Sequence, residues 1–154
     1  MSIQLRQYQR ESLDALYAWF LANPTGNPLL ILPTGAGKSV LTAALIQEAL
    51  TQWPSTRILM VTHVRELIAQ GAKKLLEVWP EAPIGIHSAG LRKKDVYHPV
   101  IFAGIQSVWR KAWHMGSFDL ILIDEVHLVS HKAEGTYRHF LAKCRKINPN
   151  VRII

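Results

Sequence analysis

An α/β domain, with a mainly parallel sheet and helices on both faces, is what this sequence predicts, on three observations. Short apolar runs of β type alternate with longer segments of helical spacing, the pattern of βαβ units. One apolar run leads through a glycine-rich turn, Gly35-Ala36-Gly37-Lys38-Ser39, into a helical segment. Another ends abruptly on two carboxylates, Asp124-Glu125. The chain has 154 residues, 49% of them hydrophobic. That is the size of a single domain, with enough apolar surface for a real core.

The elements follow in order. The spacing of Tyr8, Leu13, Leu16 and Phe20 predicts a helix over 7–21, closed by the turn formers of Asn23-Pro24-Thr25-Gly26-Asn27-Pro28. Leu29-Leu30-Ile31-Leu32 reads as a buried strand, with a helix over 37–50 after it. A second strand is expected over 57–62 and a helix over 64–78. Strands at 84–86 and 100–103 precede a helix over 104–113. Leu120-Ile121-Leu122-Ile123 is a further buried strand, followed by a helix over 134–147 and a β-type run at 151–154. Trp53-Pro54 and Trp79-Pro80 each follow a helix, where proline stops helical propagation. The apolar run at 151–154 leads to the expectation that these residues are part of a longer protein.

Composition narrows the classes. The single cysteine, Cys144, precludes an intramolecular disulfide and a multi-cysteine zinc site. No apolar h-region follows Met1-Ser2-Ile3-Gln4-Leu5-Arg6, and no run reaches the length of a membrane span, so a cytoplasmic protein is expected. The formal charge is +7. It is concentrated in residues 57–115, which carry nine basic and four acidic side chains. Such an excess suits a polyanion-binding face, and a solvated basic surface would give the same totals.

The chemistry sits in the two turns. In Leu32-Pro33-Thr34-Gly35-Ala36-Gly37-Lys38-Ser39 the glycines let backbone N–H groups approach a phosphate, and the following helix adds its positive end. Lys38 would reach the β- and γ-phosphates and the Ser39 hydroxyl would ligate Mg²⁺. Leu32 stands where the strict pattern has glycine. Beyond the 120–123 strand, at the sheet edge where α/β folds bind ligands, Asp124 can hold Mg²⁺ and Glu125 can polarise a water as general base. Together the turns predict nucleotide hydrolysis. A nucleotide- or nucleic-acid-binding module without turnover and a P-loop phosphotransferase are the other classes the pattern admits.

Asp124-Glu125-Val126-His127 resembles the DExH box of superfamily 2 helicases and translocases, and residues 32–39 look like their first Walker motif. Leu5-Arg6-Gln7-Tyr8-Gln9 resembles the family's adenine-recognising motif, with Gln7 where proline is common. By this resemblance Gln9 would read adenine while Arg6 or Tyr8 stacks on it, and His127 would couple the nucleotide site to nucleic acid. Val61-Thr62-His63-Val64-Arg65-Glu66-Leu67, Ser88-Ala89-Gly90 and Ala103-Gly104-Ile105-Gln106-Ser107 resemble segments that contact the nucleic-acid backbone. The resemblance covers nearly the whole chain. It is closest to RadD-type DNA-repair helicases and their phage relatives, with type III restriction motor subunits next. It implies a RecA-like P-loop domain over 1–154 that works with a second RecA-like domain in cis. The implied ligands are ATP, Mg²⁺ and DNA, with RNA also compatible. Weak ATPase from these residues alone is the corresponding expectation, since the family's arginine finger lies in the second domain. Arg92-Lys93-Lys94 suits either a phosphate-contact loop or a solvated one. His127 and His131 lack the third ligand a metal pair needs, and Trp109, Trp113 and Cys144 are expected to be packing residues.

Overall fold

The computed structural model describes residues 3–154, so the first two residues of the run inspected for a leader, Met1 and Ser2, lie outside the described residues. Helix α1 (Gln7–Ala22) and helix α2 (Lys38–Gln52) precede strand β1 (Ile58–Thr62) and helix α3 (Arg65–Val78). Strand β2 (Ile84–Ser88), the two-residue β3 (Lys93–Lys94) and β4 (Val100–Gly104) follow. Two short helices, α4 (Ile105–Val108) and α5 (Ala112–Met115), lead to β5 (Leu120–Ile123). Helix α6 (His131–Ile147) and β6 (Arg152–Ile153) complete the order.

The six strands run in the order β3-β2-β4-β1-β5-β6. All neighbours are parallel except β2 and β3, which pair through His87–Lys94 and Ser88–Lys93. Alternation along each strand divides the core. Ile58, Val100, Phe102, Leu120 and Leu122 face Leu13, Leu16, Leu41, Ile46, Ile68 and Leu75 of α1, α2 and α3. Leu59, Val61, Ile101, Ala103 and Ile121 face the other way, onto Val108, Met115, Tyr137 and Phe140 of α4, α5 and α6. A parallel sheet needs this double cover, which is why its strands read as unbroken apolar runs. The expected α/β class with helices on both faces is therefore what the chain adopts.

Four expectations need correction, the first being that Trp113 is a packing residue like Trp109: Trp109 lies against the core, but Trp113 is 67% exposed. Residues 29–32 form no strand: Leu30 and Leu32 pack against the core, but Leu29 and Ile31 are 64% and 79% exposed. The run has strand-like alternation, yet no strand of the described sheet offers it a ladder. The helix expected over 104–113 is two short helices, broken at Trp109-Arg110-Lys111. Helix α6 begins three residues early because Ser130 caps it, its hydroxyl accepting from Ala133 N at 3.3 Å.

Register then positions the site. Thr62 is paired with Gly104, Val61 with Ile123, and His87 with Ala103. The carboxyl ends of β1, β2, β4 and β5 consequently lie along one edge, and every segment singled out after a strand emerges there.

Candidate functional site

The glycine-rich turn is shaped by backbone geometry. Gly35 and Gly37 have φ of +81° and +75°, a region that side chains disfavour. Gly37 is the N-cap of α2 and, lacking a side chain, leaves the first N–H groups of that helix unobstructed. A Cβ on Gly37 would stand 2.5 Å from Gln9 Nε2, so the turn also needs glycine for close approach.

What approaches is the start of α1. Gln9 is 4% exposed; its Oε1 accepts from Arg6 N at 2.9 Å, and its Nε2 donates to Ala36 O at 2.9 Å. Tyr8 Oη donates to the same carbonyl at 2.7 Å. The adenine-motif residues and the phosphate turn thus form one unit, with Tyr8 and Arg6 on its exposed side. Behind them Arg10 and Tyr17 of α1 both bond Glu48 of α2, Tyr17 Oη at 2.7 Å. Burial pushes the Glu48 carboxyl up, but the hydrogen bonds from Arg10 and Tyr17 and the Arg10 charge outweigh it and hold the group below its ordinary value.

Across the edge, Lys38 Nζ lies 2.9 Å from Asp124 Oδ1 and also bonds Glu125. Burial lowers the Lys38 pKa, but both carboxylates raise it further than burial lowers it. The hydrogen bond from Lys38 holds Glu125 below its ordinary value. Glu125 adopts φ +53°, a left-handed conformation that costs a non-glycine residue about 1–2 kcal/mol and is met most often at functional turns. Exposed His127 places Nδ1 3.4 Å from Glu125 Oε2. A cavity of about 40 Å³ is lined by Lys38, Ser39, Thr42 and Asp124 over a floor of Met60, Gly71, Leu75 and Phe102. The Ser39 and Thr42 hydroxyls and the Asp124 carboxylate are oxygens of the kind Mg²⁺ takes, and the Lys38 ammonium beside them suits phosphate.

The expected nucleic-acid residues divide by exposure. Arg65, Gly90 and Gln106 are exposed, and Arg65 lies along Gly90, whose Cβ would be 2.9 Å from Arg65 Cδ. Ser107 Oγ accepts from Ala89 N at 3.0 Å, joining the second and third segments. Thr62 and Ser88 are buried at 5% and 3%, and the Thr62 hydroxyl accepts from Val64 N at 3.3 Å. His63 is half-buried, with Nδ1 unpartnered. Thr34 and Gly35 are exposed at the turn, and Ser39 is half-buried on α2. No local pattern marks Glu48 as the tie between α1 and α2, or Tyr137, a hydroxyl within an otherwise apolar helical stripe.

The sheet order and the helices on both faces define a domain of RecA-like fold. Among solved structures the fold is matched by the UvsW helicase from bacteriophage T4, with TM-score 0.71 and 23% identity over 98% of this chain and 51% of that one. The Sulfolobus solfataricus SWI2/SNF2 ATPase core in complex with dsDNA matches with TM-score 0.70 and 17% identity, over 90% of this chain and 30% of that one. The chain belongs to the family described as type III restriction enzyme, res subunit, whose profile it matches over residues 2–153. Curated relatives include the putative ATP-dependent helicase IRC3 of Saccharomyces cerevisiae, 28% identical over 144 residues, 89% of this chain and 20% of that protein. The DNA 3'-5' helicase XPB of Mycobacterium tuberculosis is 32% identical over 142 residues, 82% of this chain and 22% of that protein. The chain thus spans about a fifth of the length of these relatives. No helix among the described residues is long and apolar enough to cross a membrane.

Proposed function

We propose that this chain is the first RecA-like domain of an ATP-driven DNA helicase or translocase. The observation that carries the reading is Lys38 bridging Asp124 and Glu125 at the mouth of the glycine turn. A lysine that neutralises two carboxylates is ready to exchange them for the phosphates of a nucleotide. In this reading the turn from Thr34 through Gly35, Ala36 and Gly37 presents N–H groups to the phosphates, and Lys38 pairs with their charge. Ser39 and Asp124 would hold Mg²⁺, which when bound neutralises phosphate charge. Glu125, a carboxylate released when Lys38 turns to phosphate, takes a proton from the attacking water. His127, beside Glu125, reports nucleotide state toward the nucleic-acid face. Gln9 recognises adenine with Arg6 or Tyr8 against the ring, and its bonds to the turn join base recognition to phosphate binding.

Arg65, Gly90, Gln106 and Ser107, with His63, Thr62 and Ser88 behind them, form the proposed DNA track. Arg65 contributes charge and the buried hydroxyls shape the loops. A second RecA-like domain supplies the remaining catalytic charge in cis, so slow hydrolysis is expected from these 154 residues. The family description makes restriction-type translocation the second reading of the same motor. Titration of the chain with a fluorescent ATP analogue and Mg²⁺ tests the proposal. Saturable binding, competed by ATP and weakened by chelation, is the expected result; no binding up to millimolar nucleotide would overturn it.

A further inference from the structure

Tyr137 shares a stripe of α6 with Phe140 and Cys144 and is 5% exposed. Its ring fills the layer containing Val61 and Ile121, with Ile123 and Val129 at the margin. Its hydroxyl is buried and has no hydrogen-bond partner. A phenol held this way costs free energy that phenylalanine, with the same shape, would avoid. Burial, and to a lesser extent the negative charge of Asp124, raises its pKa, so it keeps its proton and can donate. His63 Nδ1, just beyond β1, is likewise buried without a partner. Asp124 N donates to Val61 O at 3.2 Å, so the acidic turn leaves the sheet beside that strand end.

In the present structure Lys38 serves Asp124 and Glu125 together. If Lys38 turns to a bound phosphate, both carboxylates lose that partner. The Asp124 oxygen turned away from Mg²⁺ then needs a donor, and O–H···O⁻ bonds are the short, strong kind. We propose that Tyr137 is a positioning residue for the acidic turn, its hydroxyl donating to the Asp124 carboxylate once Lys38 engages phosphate and so fixing the orientation in which Asp124 receives the Mg²⁺-bound nucleotide. The inference rests on the nucleotide reading above. It gives a purpose to a buried hydroxyl for which the nucleotide-free protein has no use.

The test is Tyr137→Phe in the 154-residue chain, with melting followed without ligand and a non-hydrolysable ATP analogue titrated in Mg²⁺ and in EDTA. The unliganded variant should melt at or above the wild-type temperature, because only an unpaired hydroxyl is removed. Its affinity in Mg²⁺ should fall about tenfold or more, the worth of one charge-assisted bond, while its affinity in EDTA stays unchanged. In an Asp124→Asn background the same substitution should change affinity less than twofold. Equal Mg²⁺ affinities of wild type and Tyr137→Phe would overturn the positioning role and leave the nucleotide reading intact. A lower melting temperature with equal losses in Mg²⁺ and EDTA would also overturn it, by showing a purely structural residue. A wild-type chain that binds no nucleotide overturns the underlying reading and this inference with it.

Discussion

Lys38 Nζ and Asp124 Oδ1 stand 2.9 Å apart, so the residue that opens α2 is fastened to the residue that follows β5. The same ammonium bonds Glu125, 87 positions away in sequence. Such a pair, half exposed to water, adds little stability. Its importance lies in what it holds ready. A cation and two acids meet where a helix start and a strand end converge, which is the arrangement that phosphate and its counter-ion require.

Removing each charge should therefore have a different effect. Lys38→Ala is expected to weaken Mg-ATP binding about tenfold or more, the value of a hydrogen bond to a charged group. Glu125→Gln should retain nucleotide binding, because Lys38 still meets the phosphates, and lose hydrolysis by about 10²–10⁴-fold, because an amide cannot take the proton. Equilibrium binding with a fluorescent analogue and single-turnover hydrolysis separate the two. Unchanged affinity in Lys38→Ala would remove the phosphate assignment.

The two glycines of the turn should separate in the same way. Both have positive φ, so either alanine substitution costs about 1–2 kcal/mol in backbone strain. Gly35 has nothing within 4 Å of its would-be Cβ, whereas at Gly37 that atom falls 2.5 Å from Gln9 Nε2. Gly37→Ala should therefore be the more destabilising in urea, and it alone should erode preference for ATP over GTP by displacing Gln9. Matching losses of preference in both variants would contradict the coupling of α1 to the turn.

Much of this was readable from residues, and the exceptions have physical causes. Ile58–Thr62 and Leu120–Ile123 are apolar on both faces because both faces are covered, and sequence identifies them as strands. Leu29–Leu32 has the same composition, but a run of residues cannot say whether a neighbouring strand will offer hydrogen bonds. From the sequence the last helix is expected to start at Glu134, whereas the Ser130 cap, a local signal, starts it three residues sooner. The phosphate and acidic turns are local motifs and were legible as such. That Gln9 and Tyr8 share the Ala36 carbonyl, that Thr62 and Ser88 are buried, and that Tyr137 carries an unpaired hydroxyl all depend on packing between distant segments.

Acid should expose the contact between α1 and α2. Glu48 has its pKa lowered in the folded chain, because hydrogen bonds from Arg10 and Tyr17 prevail over burial. A carboxyl depressed by folding contributes stability that is full above its unfolded value, near 4.5, and is lost as pH falls through the lower folded value. Urea midpoints measured from pH 7 to pH 3 should decline below about pH 4.5 in the wild type. Glu48→Gln should start lower at pH 7 and decline less steeply. Parallel curves for the two proteins would show that this carboxylate has no part in the acid response.

Binding to DNA should be governed by charge and loop shape with no reading of bases. The excess of basic residues lies within 57–115, and exposed Arg65 rests along Gly90 at the loop that follows β2. Backbone contacts of this type release counter-ions, so affinity should fall steeply from 50 to 200 mM salt and be equal for mixed-sequence and homopolymeric duplexes of one length. Arg65→Ala should reduce the slope of log affinity against log salt by about one. Gly90→Ala is the finer probe. Its Cβ would press on the flexible Arg65 stem at 2.9 Å, a displacement cheap in stability, so the variant should melt normally yet bind DNA more weakly. Fluorescence anisotropy across a salt series reads both effects. If Gly90→Ala binds as tightly as the wild type while Arg65→Ala does not, Arg65 reaches DNA without Gly90 setting its path. A salt response that stays flat in the wild type would return the positive charge to plain solubility.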